Sequence, residues 1–404
     1  MRRRVRRRYT SERLFRLSGL AAIVLSVLFL AFLLWNMGSK GIGGFVQYEA
    51  ALPIDFARSD LFLDPATLRG PDARQTVAGA DLSTAISKAA QTAYGRGAAE
   101  MFGDAAVDRL TDDIVASPNI LTARATLWLP VASKIDIAAK DRGDAASEKL
   151  LDALTQKHAL RRVFNMHFLT DADATDPSAV GIWGALKGTF YTIVVTILLA
   201  FPIGVLAAIY LEEFAPRNRW TDAIEVSINN LAAVPSIIFG LLGLAVFLDV
   251  MNLPRSAPLV GGMTLALMTF PVIVIAGRNA VKSVPPSIRD AALGVGASKM
   301  QVTFHHVLPL ALPGILTGTI IGVARALGET APLLMIGMRA FVAAPPGGIS
   351  DPATVLPVQI FLWSDEVDRG FVEKTSAAII VLLLFMLLMN GLAIYLRNRF
   401  DRRW

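Results

Sequence analysis

Six mostly apolar runs punctuate the chain, at residues 17–37, 182–211, 223–250, 259–277, 309–338 and 376–396. Each is near or above the ~20 residues a helix needs to cross bilayer hydrocarbon, so the pattern predicts an all-α polytopic membrane protein with six transmembrane helices. The long interval after the first run breaks this rhythm. Residues 38–180 hold no stretch long enough to span and are studded with Asp, Lys, Arg and Pro, which predicts a water-exposed domain large enough for its own core. Apolar residues recur there at helical intervals over 81–115 and 147–168, while the segment 123–137, carrying ATLWLPVASKI, reads as a strand. The expected organisation is a basic N-terminus with a first span at 1–37, an inserted domain of helix with some strand at 38–180, and a helical membrane domain at 181–404.

Composition agrees with a mixed architecture. The chain has 404 residues, of which 54% are hydrophobic and 18% charged. Its formal charge of +6 is unevenly spread: residues 38–180 carry 15 Lys and Arg against 19 Asp and Glu, a net of −4 that leaves +10 for the remainder. Eight arginines between Arg2 and Arg16 precede the first run, and the tail RNRFDRRW follows the last. Because basic residues favour the cytoplasmic side, both termini are expected in the cytoplasm and the acidic domain outside. The first run lacks a small-residue cleavage site, so it reads as a retained anchor and not a signal peptide. The loops 212–222 and 278–308 then fall inside, and 339–375 falls outside. This placement explains the basic clusters without nucleic-acid binding.

Several chemistries are absent from the sequence. There is no Cys, and the four His lack a metal-ligand spacing; His158 and His167 read as ordinary surface or packed residues. Gly-Lys never occurs, which removes the phosphate-cradling P-loop, and neither G-x-S-x-G nor H-E-x-x-H is present. No enzyme activity, cofactor or metal is expected.

Two features do carry chemistry. The four central spans hold Pro202, Pro235, Pro271, Pro309, Pro313 and Pro332; proline bends a helix and frees a carbonyl, which suits helices grouped around a polar path. The run 309–338 also holds Gly314, Gly318 and Gly322 at intervals of four, a face for close helix packing. Beside that face lie Arg325 and Glu329, a charged pair inside an expected span and therefore a functional hypothesis by default. Arg325, Glu329 and the adjacent Thr330 are the expected substrate-pathway residues. The rival reading is an ion pair that only fixes helix packing. Arg278, Glu225 and Lys187 lie near span ends and are expected to reach the interface.

Residues 289–337 read RDAALGVGASKMQVTFHHVLPLALPGILTGTIIGVARALGETAPLLMIG. Asp290, Ala291, Ala292, Gly296, Leu308 and Pro309 fall in register with the signature loop of ATP-binding-cassette (ABC) importer permeases, with Asp290 in place of the family Glu and His306 in place of Ile. ARALGETAPLL at 324–334, VPSIIFGL at 234–241 and IGVLAAIYLEEFAPRN at 203–218 look more specifically like the phosphate permeases of that family. The resemblance runs from about Gly181 onward, and residues 38–180 resemble an extension found on some of those permeases. It implies a type I importer core in which Asp290, Ala291, Ala292 and Gly296 couple to an ATPase. It further implies two ATPase subunits, a second permease subunit and a periplasmic phosphate-binding protein as partners, in the inner membrane. A permease for sulfate, molybdate or another anion, and a membrane sensor, are the competing readings.

Overall fold

The computed structural model describes residues 2–400 except 57–60, 62, 66, 71, 141–143, 339 and 340. Of the arginine-rich ends, the side chains of 2–8 and the tail 401–404 lie outside the described residues, as does Arg339 at the start of the expected 339–375 loop.

Helix α1 (Arg2–Gly44) runs unbroken through the first apolar stretch, which contains no proline. Its final turn packs against α17 (Gly370–Phe400). Glycine is required at this seam: a β-carbon on Gly44 would stand 2.7 Å from the Ala377 β-carbon and 2.8 Å from the Glu373 carbonyl oxygen. Higher up, the Leu, Ile and Phe side chains of α1 are exposed.

The inserted domain is built on a three-stranded antiparallel sheet in the order β2-β1-β3, comprising β1 (Val46–Asp55), β2 (Arg124–Pro130) and β3 (Leu160–Phe164). Helices α2 (Ala73–Ala78), α3 (Leu82–Tyr94) and α4 (Asp104–Ala116) precede β2. Helices α5 (Ser133–Lys140) and α6 (Ala145–Gln156) follow it, and the short α7 (His167–Thr170) follows β3. Ala50, Leu52 and Ile54 of β1 bury against Leu82, Ile86, Leu110 and Leu129. The domain thus has a core of its own.

Three expectations for this domain need correction. The segment 81–115 is two helices, α3 and α4, parted between Gly95, with φ +97°, and Gly103. The segment 147–168 is not one helix: α6 stops at Gln156, His158 takes a left-handed conformation with φ 51°, and the chain re-enters as β3. Pairing with β1 outweighs the local helical spacing. The strand at 123–137 is likewise shorter than expected, since Ser133–Lys140 is α5. Strand β1, central to the sheet, holds Pro53. That is tolerated because Pro53 pairs with Thr126 of β2 beyond the end of β3, whose pairing stops at Ala50–Leu160.

The membrane part contains α8 (Trp183–Ile209), α9 (Arg219–Ala232), α10 (Ser236–Gly243), α11 (Pro258–Lys282) and α12 (Pro286–Gly294). It continues with α13 (Lys299–Gln301), α14 (Leu308–Leu327), α15 (Ala331–Met335), α16 (Leu356–Ser364) and α17. Among the described residues five helices are long and apolar enough to cross a bilayer, and a sixth span results if α9 and α10 count as one. That pair is bent by 101°. The expected straight run at 223–250 is therefore broken, because Pro235 lacks an amide hydrogen and disfavours helix at Val234. α9 has no buried residue, and α10 continues as a π-helical segment, Leu244–Val250. The expected run at 309–338 is also interrupted: α14 ends at Leu327, and α15 begins only after Gly328, Glu329 and Thr330.

Close packing holds α8, α11 and α14 together. A β-carbon on Gly262 of α11 would meet Val195 at 2.5 Å, and one on Gly277 would meet Ala208 at 2.8 Å. Several threonines on these buried faces return their hydroxyls to the preceding turn, as Thr196 does to Thr192 and Thr269 to Leu265, so that those polar groups enter the interior with their hydrogen bond made.

Candidate functional site: a helical hairpin and a broken helix

The expected coupling residues lie on α12 and the turn after it. Asp290 and Ala291 are exposed, while Ala292 is buried against the end of α11. Gly296 has φ +87°. Its amide donates to the Leu293 carbonyl at 2.9 Å, and the Ala297 amide donates to the Ala292 carbonyl at 3.1 Å. This double return closes the helix end and needs a left-handed residue, which glycine supplies without strain. Gly294 has no such conformation. Ser298 and Gln301 then form a reciprocal cap that starts α13.

Arg289 fixes the hairpin in place. Its Nε and Nη2 both donate to Glu213 Oε1, at 3.0 and 2.7 Å, and Nη2 and Nη1 reach the carbonyls of Val281 (2.9 Å) and Val284 (2.6 Å). One guanidinium thus ties α12 to the ends of α8 and α11, using the forked donors that distinguish Arg from Lys. Sequence reasoning passed over Arg289. It also passed over Leu293, Val295 and Met300, all exposed around the turn. Their signal was present, since large apolar residues in a polar loop have no internal use there.

The glycines of α14 face α11. A β-carbon on Gly314 would stand 2.7 Å from the Ala280 β-carbon and one on Gly322 2.9 Å from Thr269, while one on Gly318 would overlap Ala276. Arg325 follows on the same helix but not on that face: its side chain is 51% exposed, against 19% for Glu329. The two are 3.5 Å apart, Nε to Oε1. They do not share a continuous helix, because the Gly328 and Glu329 amides turn back to Arg325 and Ala326 and helical structure resumes only at Ala331. Thr330 lies at the start of α15 and makes no side-chain cap.

The break adjoins a second one. α15 packs against α10, with Pro332 so near that a β-carbon on Gly240 would meet its Cα at 2.7 Å. α10 is itself the second half of the bent α9–α10 pair. Non-helical backbone within a membrane helix is tolerated only where protein or a polar cavity satisfies it. Two interrupted helices thus lie side by side, one bearing a half-exposed cation and its carboxylate.

The residues expected at span ends are paired. Arg278 contacts Glu225 at 2.8 Å and Glu212 at 3.5 Å, and Lys187 donates to the Pro346 carbonyl at 3.3 Å. Among the described residues no group of His, Asp and Glu is arranged to hold a metal ion.

Comparison with known proteins divides the chain in two. Residues 2–149 match a domain of unknown function (DUF3333), and residues 200–404 match the binding-protein-dependent transport system inner membrane component. The probable ABC transporter permease YqgI of Bacillus subtilis is 32% identical over 42% of this chain and 58% of its own length. Phosphate transport system permease PstA 1 of Mycobacterium tuberculosis H37Rv is 33% identical over 44% of this chain and 54% of its own. This chain therefore spans little more than half the length of these relatives. PstA of Haemophilus influenzae is 32% identical over 52% of this chain and 73% of its own. Among solved structures, the inward-facing MetNI methionine ABC transporter aligns at 18% identity with a TM-score of 0.44, over 55% of this chain and 98% of that one. With half of its length matched by the family model, the chain belongs to the binding-protein-dependent transport system inner membrane components, the multi-pass permeases of ABC importers, which carry no ATPase domain of their own.

Proposed function

We propose that the chain is the permease subunit of a bacterial phosphate importer, driven by two partner ATPases and fed by a phosphate-binding protein outside the membrane. The observation that carries this reading is Arg325, half-exposed beside a break in α14 and held only loosely by Glu329 at 3.5 Å. A guanidinium offers forked donors to phosphate oxygens and keeps its charge in any interior, while a carboxylate nearby limits the cost of that charge when no anion is present. The names of the PstA relatives favour phosphate over other anions.

Coupling would run through α12 and α13. Asp290 and Ala291 with the exposed Leu293, Val295 and Met300 present a small docking surface, and Arg289 passes its displacement to α8 and α11. In this reading both termini and the α12–α13 hairpin are cytoplasmic, residues 38–180 lie outside, and a second permease subunit completes the pathway. Uptake of labelled phosphate by cells deleted for this gene, with and without a plasmid copy, tests the reading. Restoration by the plasmid, undiminished by excess sulfate or molybdate, is expected. Unchanged phosphate uptake in the deleted cells, with uptake of another anion lost, assigns a different substrate; loss of no uptake and no co-purifying ATPase favours a sensor.

A further inference from the structure

A cleft of about 700 Å³ opens where α1 and α17 leave the apolar part of the molecule beneath the sheet. Four elements bring cations to it: Lys40 from the end of α1, Lys140 from α5, Arg162 from β3 and Arg369 from the turn before α17. Glu373 is the one carboxylate in its lining, and it is engaged with Lys140 at 3.0 Å. Among the described residues no ion pair holds Lys40, Arg162 or Arg369, all three of which are exposed.

Strand geometry explains why Arg162 is available. Successive side chains of a strand point to opposite faces. Arg161 turns to one face, where it donates to Glu49 and lies 4.5 Å from the Trp128 ring centre. Arg162 turns to the other, opposite Tyr48 in the register, and both line the cleft. The lower margin is apolar: Ile42 and Val372 are exposed, and below them the bare flanks of α1 and α17 begin. Isolated basic residues at span ends reach to the interface singly. Here they converge on one concavity from distant parts of the sequence, with an apolar margin on the membrane side.

We propose that this cleft binds a phosphate-bearing anion at the membrane surface, the headgroup of an acidic phospholipid in the leaflet nearest the sheet domain, with its acyl chains along α1 and α17. The lipid bridges the sheet domain to the two helices under it. This inference rests on the membrane spans and not on the transported substrate.

Native mass spectrometry of the full chain in detergent, titrated with phosphatidylglycerol or phosphatidylcholine, tests it. Phosphatidylglycerol is expected to be retained in preference, and each cation removed should weaken it about fivefold. Arg162→Gln with Arg369→Gln should therefore lower retention roughly 25-fold, and Lys40→Gln alone about fivefold. The pair Arg397→Gln with Arg399→Gln removes the same charge at the other end of α17 and should leave retention unchanged. An equal loss in that control, or equal retention of phosphatidylcholine, overturns the proposal. Inorganic phosphate added to lipid-free protein distinguishes the remaining source: adducts abolished by Arg162→Gln with Arg369→Gln would assign the cleft to the free ion and overturn the lipid.

Discussion

Lys140 and Arg325 are both cations paired with carboxylates near the ends of helices, yet their surroundings are opposite. Lys140 is 12% exposed and reaches three acceptors at once, the carboxylates of Asp136 and Glu373 and the Gly43 carbonyl at 2.8 Å. Arg325 is 51% exposed and has one carboxylate at 3.5 Å. The first arrangement joins the sheet domain to α1 and α17, and every polar atom of the cation has a partner. The second leaves most of a guanidinium's donors unspent. Saturated charges mark a structural joint in this molecule, whereas the unsaturated one is the charge that the proposed function assigns to the transported anion.

The sharpest way to break the comparison is to remove the cation from the joint. Lys140→Met removes the cation paired with Asp136 and Glu373 and leaves the buried Lys374 near them, and breaking a buried charge cluster costs about 3–5 kcal/mol. Thermal unfolding of the purified chain should move down sharply, with the sheet domain becoming sensitive to protease. If stability is unchanged, the joint is no firmer than the open pair.

The same change at the other cation should do the reverse. Arg325→Gln is expected to alter stability by only about 0–1 kcal/mol, as for exposed pairs, while phosphate uptake falls to background at normal protein level. Adding Glu329→Gln decides between roles. Uptake should stay absent in the double variant if Arg325 supplies donors to the anion. Recovered uptake would mean that the pair only balances charge, and the pathway role would be withdrawn.

A third pair falls between the two. His167 Nδ1 lies 2.9 Å from Asp171 Oδ2, both partly exposed. The hydrogen bond that His167 donates to Asp171 raises the His167 pKa above its usual value, outweighing burial. Burial pushes the Asp171 carboxyl up, but hydrogen bonds with His167 and Thr170 outweigh it and leave the net shift downward. A raised folded-state pKa for His gives stability that is full below its unfolded value of about 6.5 and lost as pH rises through the folded value. His167→Gln should therefore lower the melting temperature slightly at about pH 5.5 and leave it unchanged at about pH 8.5. A difference that grows with pH would refute the assignment.

The spans were legible because hydropathy is a local property: each apolar run announces itself within ~20 residues. The breaks were half legible. Pro235 and Pro332 signalled bending, but where α14 would stop depended on Gly328 and on how α15 seats against α10. Strand β3 was not legible, because what makes 160–164 a strand is pairing with β1, as in the Glu49–Arg161 contact across 112 residues. The Lys140–Glu373 contact spans 233 residues and leaves no mark on either local sequence. In the α12–α13 hairpin Asp290 and Gly296 stood out by their resemblance to the family's signature loop, whereas Arg289 could be identified only once Glu213 was seen beside it.

The seam between α1 and α17 sets a timetable for making the protein. Gly44 and Lys374, in contact across it, are 330 residues apart. At the ~5–20 residues per second of ordinary translation, α17 emerges roughly tens of seconds after α1. For that interval α1 lacks the partner of its glycine notch, and the sheet domain, whose described strands are all complete by Phe164, is without its floor. The domain's own core makes this wait possible, and arrival of α17 adds the Lys140–Glu373 contact beneath it.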